Sequence, residues 1–96
     1  MGYRKNSLWN DKHEINCLLI FKKLELDNFP RTEQTKYCLE MAKISNLSIG
    51  SISAKICNYK SVAGINKPSN VSRNFMRIYS KYKDLSIIEL EKIIEL

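Results

Sequence analysis

A chain of 96 residues with a formal charge of +6 has room for one domain with a modest core and none for a second. No apolar run approaches the ~18 residues of a membrane-crossing helix, so no membrane partner is expected. The opening MGYRKNSLWN lacks the apolar segment of a secretory signal, so a cytoplasmic location is expected.

The three cysteines, Cys17, Cys38 and Cys57, stand far apart inside apolar helical patterns. That spacing predicts reduced core thiols, with no disulfide framework, metal site or cofactor site. The single histidine, His13, reads as a surface or capping residue of a first helical turn. Paired carboxylates, a Cys/His couple and a Gly-rich phosphate loop are all missing from the pattern, so no catalytic residues are expected and the chain does not read as an enzyme. Charge is unevenly spread. From Arg31 to Lys83 there are ten Lys/Arg against Glu33 and Glu40, whereas from Asp84 onward four acids face only Lys92. A basic body of this kind favours a polyanionic partner.

In chain order, residues 1–8 form a mobile basic leader with Arg4 and Lys5, and a single helical domain is expected over 9–96. Asn10 can cap a first helix over 11–25, with Asp11 and Glu14 favourable to its dipole. Its core stripe is Ile15, Leu18 and Leu19, widened by Ile20 or Phe21, and Trp9 folds back on it. Asp27, Asn28 and Pro30 force a turn before Thr32 caps a second helix over 33–45, whose stripe is Cys38, Met41, Ala42 and Ser45.

Asn46, Leu47 and Ser48 make a short corner into a third helix over 48–62. Ser48 is its N-cap, Gly50 and Ser51 leave its first turn thin, and Ile52, Ile56 and Tyr59 form its buried stripe. Ser51, Ala54, Lys55 and Asn58 are read on the other side. Short side chains around one amide and one ammonium suit a major groove, where Asn pairs with adenine and Lys with guanine. Gly64 ends this helix in the left-handed region, and Lys67 and Pro68 lie in an exposed loop, with Ile65 able to tuck back.

A fourth helix begins at Ser69 or Ser72 and runs to about Lys83, with Val71, Phe75, Ile78, Tyr79 and Tyr82 inward and Arg73, Arg77 and Lys81 on one basic ridge. Ser86 and Glu89 form a capping box for a last helix carrying Ile87, Leu90, Ile93 and Ile94. That stripe must pack on its own domain or on another chain. The expected fold is therefore all-α, with a helix-turn-helix core over 9–63 and two further helices over 69–96.

Trp9 before an acidic helix start, Gly50-Ser51-Ile52 with Lys55-Ile56 and Asn58-Tyr59, then Gly64-Ile65 and Ser69-Asn70-Val71-Ser72-Arg73, resemble the N-terminal domain found ahead of HNH endonuclease domains in some bacterial restriction-type proteins. The resemblance spans roughly residues 8–82 and implies a small helical domain, similar to Myb-like three-helix units, that contributes nucleic-acid binding. Leu47 departs from the family's usual Arg, and the segment between Asn58 and Gly64 is shorter than usual. Nuclease activity is not carried over.

The leading expectation is a double-stranded DNA-binding module. In it Ser48, Gly50, Ser51, Ala54, Lys55 and Asn58 enter the major groove, while Arg31, Lys67, Arg73, Arg77 and Lys81 meet phosphates. The alternative is an accessory module of phage or mobile-element type that uses the same scaffold to bind another protein. Residues 86–96 then serve as a contact for a homodimer or a protein partner.

Overall fold

This computed structural model describes residues 8–64 and 73–95. Among them the chain forms five helices and no strand: α1 Asp11–Leu26, α2 Arg31–Ser45, α3 Ile49–Val62, α4 Arg73–Tyr82 and α5 Ile87–Glu95. The hub is α1, which packs against each of the other four, while α2 and α3 also pack on each other. The expected stripe on α1 was right in kind and too narrow. Ile20 and Phe21 are both buried, and Cys17 and Leu24 join Ile15, Leu18 and Leu19. A helix with neighbours on several sides needs apolar side chains nearly all round.

Local chemistry sets most helix ends. Asn10 Oδ1 accepts the His13 N–H at 2.8 Å, and Ser48 Oγ accepts the Ser51 N–H at 3.0 Å. The Ser86–Glu89 capping box closes in both directions at 3.1 Å. The Ser86 N–H, and after it the Ser86 hydroxyl, hold the Glu89 carboxyl below its ordinary range by hydrogen bonding to it. Asn46, at φ 62°, ends α2 in the left-handed region with its N–H on Ala42 O, and Gly64, at φ +84°, follows α3.

The start of α2 differs from expectation. Thr32 is already inside the helix, Arg31 is its first residue, and Pro30 stands at the N-cap position without a side-chain bond. The turn before it is made by Asn28 and Phe29, both at left-handed φ (60° and 58°), with Phe29 N–H donating to Leu24 O at 2.8 Å. Pro30, at φ −67°, then sits at an angle its ring prefers, so a β-region entry to the helix needs no hydroxyl. The expected starts of α4 at Ser69 or Ser72, the leader 1–7, Ile65, Lys67, Pro68 and Val71 lie outside the described residues.

Two further readings change. Cys17 and Cys38 are core thiols, raised above their ordinary titration range by burial, but Cys57 is exposed on the outside of α3. The last helix turns its stripe inward: Leu90 is buried, and Ile87, Ile93 and Ile94 are half-buried against the shared core. It packs on α1 of its own chain, while Ile88 stays 67% exposed. Lys22 of α1 secures the α4–α5 turn by donating to the carbonyls of Lys83 and Leu85. No helix among the described residues is long and apolar enough to cross a membrane.

Candidate nucleic-acid interface

Ile52, Ile56 and Tyr59 anchor α3, each with no solvent exposure. Tyr59 packs against Phe75 with ring centroids 4.3 Å apart, and its hydroxyl donates to Glu14 O at 3.1 Å, which satisfies the one polar atom of that buried ring. Rotating ~180° from this stripe at ~100° per residue reaches Gly50, Ala54, Cys57 and Ser61. The first three are exposed and Ser61 is half-buried. The outward strip of α3 is thus small and uncharged, and a β-carbon added at Gly50 meets nothing within 4 Å. Ser48 and Ser51 flank it at the helix start, joined by a 2.8 Å hydroxyl–hydroxyl bond.

Compared with expectation, the presented face is rotated. Ser48, Gly50, Ser51 and Ala54 are all exposed along the first turns of α3. Asn58 is half-buried at the edge of the strip and has an interaction partner. Lys55 does not face outward. Its ammonium lies 2.8 Å from Glu14 Oε1, with side-chain exposures of 15% and 1%, and sits over the rings of Trp9 (4.7 Å) and Phe75 (5.7 Å). The physical reason is Glu14. Its side chain is buried among α1's neighbours, and Lys55 on the adjoining edge of α3 brings the partner a buried carboxyl needs. Glu14 therefore does more than favour the α1 dipole.

The basic ridge on α4 is similarly altered. Arg77 forks onto Asp11, with Nη1 3.0 Å and Nη2 2.7 Å from the two carboxylate oxygens, and also reaches Asn74 Oδ1 at 3.2 Å. In this arrangement its guanidinium is already paired with a carboxylate, although it stays exposed. Arg73 is exposed and has a partner, and Lys81 is exposed with its ammonium 5.3 Å over the Tyr82 ring. Arg31 is exposed at the start of α2, on the α3 side. Lys67 lies outside the described residues.

Three residues that the sequence reading did not place here belong to this surface. Cys57 and Ser61 were legible as the positions opposite Ile52, Ile56 and Tyr59, but an apolar environment was assumed for the thiol. Lys60 was also passed over. It is half-buried on the α2 side of α3, donates to Gln34 Oε1 at 3.0 Å and lies 4.9 Å over the Phe29 ring. Among the described residues no three His, Cys, Asp or Glu side chains converge as metal ligands. No family model, curated protein or solved structure matches the chain.

Proposed function

We propose that this domain binds double-stranded DNA through α3, with the α2–corner–α3 unit acting as a helix-turn-helix and the strip from Gly50 to Ser61 entering the major groove. The observation that carries this reading is the thin, uncharged outer face of α3 inside a stretch that holds no Asp or Glu from Met41 to Lys83. A helix without bulk or negative charge on its outward side can approach base edges and phosphates closely, and the surrounding cations supply non-specific attraction. The likeness of Gly50-Ser51-Ile52, Lys55-Ile56 and Asn58-Tyr59 to the restriction-associated helical domains adds support. Within that likeness, Trp9, Glu14 and Lys55 act as an internal brace and the base-facing work falls to the strip beside them.

Cys57 provides the test, because Cys17 and Cys38 are buried and Cys57 is the exposed thiol. A maleimide should label Cys57 quickly in the free protein and slowly with random-sequence duplex at low salt, and added salt should restore the rate. Binding with no protection would remove α3 from the interface. No binding at low salt would end the duplex reading and favour a protein partner. That second reading draws on Ile44, which is 78% exposed between two shallow hollows, one lined by Leu19, Ile20 and Tyr37 and the other by His13 and Ile94.

A further inference from the structure

Between α2 and α3 lies a groove of about 380 Å³. Arg31, Gln34 and Thr35 line it from α2, Ser53 and Lys60 line it from α3, and Phe29 joins from the preceding turn. Its polar lining includes two cations, an amide and two hydroxyls, and no carboxylate of the described residues lines it.

The acids of α2 are directed elsewhere. Glu33 lies ~200° around the helix from Arg31, and Glu40 lines the separate hollow between α1 and α2. The ion pairs Lys55–Glu14 and Arg77–Asp11 also leave this groove's cations untouched.

The lining is also held in place. Lys60 Nζ is fixed by its 3.0 Å bond to Gln34 Oε1 and by the Phe29 ring beneath it. The same amide turns its nitrogen to Ser53 Oγ at 3.4 Å. Ser53 accepts that bond and so can still donate its own proton. A neutral amide positions the ammonium without cancelling its charge, in contrast to what Glu14 does to Lys55.

We propose that this groove is an oxyanion site that takes a phosphate group between Arg31 and Lys60, with the hydroxyls of Thr35 and Ser53 as neutral donors. Arg supplies a planar fork matched to phosphate, and Lys supplies a compact point charge. The phosphate comes either from a duplex backbone or from a free phosphorylated small molecule. The assignment goes beyond the DNA reading, since it needs only these groups and not α3 in a groove.

The test is a ¹⁵N chemical-shift titration of the full chain, first with inorganic phosphate at constant ionic strength against chloride, then with a short random duplex. Phosphate should move the amides of Arg31, Thr35, Ser53 and Lys60, and R31Q should weaken that response about tenfold, as loss of one charge-assisted contact does. K60Q should do the same. R31Q carries the test if K60Q lowers the melting temperature. If the duplex moves the groove together with Gly50, Ala54 and Cys57, the bound phosphate is a backbone diester. If phosphate moves the groove and the duplex moves nothing, the site takes a free phosphorylated molecule and the DNA reading falls while the site stands. If the duplex moves the α3 strip and the groove ignores both probes, the site is overturned and the DNA reading survives. Phosphate shifts that are undiminished in R31Q, or spread evenly over all lysines, also overturn it.

Discussion

Lys55 and Lys60 stand on the same helix and have opposite fates. On the side of α3 that meets α1 and α4, cations are met by acids of α1: Glu14 takes Lys55, and Asp11 takes Arg77. On the side that meets α2, Lys60 is steadied by Gln34, and Arg31 stands at the same groove with no carboxylate of the described residues lining it. The basic count of a sequence is therefore a poor measure of the charge a surface offers. What matters is which cations a folded neighbour has already neutralised, because a paired charge has little field left for a ligand while one positioned by an amide keeps all of it.

The largest effect should come from breaking the neutralised side. Glu14→Gln leaves the Lys55 ammonium, 15% exposed, without its counter-charge, and should cost about 3 kcal/mol in denaturant unfolding. Adding Lys55→Met should recover most of that loss, since an apolar side chain of similar length needs no partner. A single variant that melts like the parent would mean that the brace is unimportant and that Lys55 is free to move outward.

The open side should dominate polyanion binding. If Arg31 and Lys60 each neutralise a phosphate, Arg31→Gln with Lys60→Gln should flatten the log-affinity against log-salt slope by about 1.8 units, at ~0.9 per contact. Arg77→Gln should leave the slope nearly unchanged, because Asp11 has already taken that charge. Equal flattening by Arg77→Gln would show that Asp11 releases its partner on binding and would erase the distinction between the two sides.

The smallest effect concerns stability at the exposed fork. The side chains of Arg77 and Asp11 are 39% and 50% exposed, so Arg77→Gln should change unfolding free energy by no more than about 1 kcal/mol, and less in high salt. A loss as large as that of Glu14→Gln would mean that the fork, and not the buried pair, fastens α4 to α1.

Much of the helical outline could be read directly. The Asn10, Ser48 and Ser86–Glu89 caps and the Gly64 terminator were all legible, as were the stripes Ile52–Ile56–Tyr59 and Ile87–Leu90–Ile93–Ile94. Each depends on residues within about two turns of one another, where spacing and side-chain chemistry are sufficient. The start of α2 was misplaced even though it is local, because Asn28 and Phe29 enter the left-handed region without a glycine to signal it.

The candidate surface was legible only in part. The thin start of α3 follows from Ser48, Gly50 and Ser51, but its outward centre was taken too near Lys55 because an ammonium is assumed to seek water. No spacing rule links Glu14 to Lys55 or Asp11 to Arg77, since those partners are brought together by packing between helices far apart in the chain. The same holds for the last helix, whose apolar stripe suited its own domain or another chain, and whose packing on α1 only the fold shows. Periodicity fixes which side of a helix is apolar. Which charges are neutralised, which thiol is exposed and what an apolar stripe faces depend on neighbours, and neighbours exist only once the helices have packed.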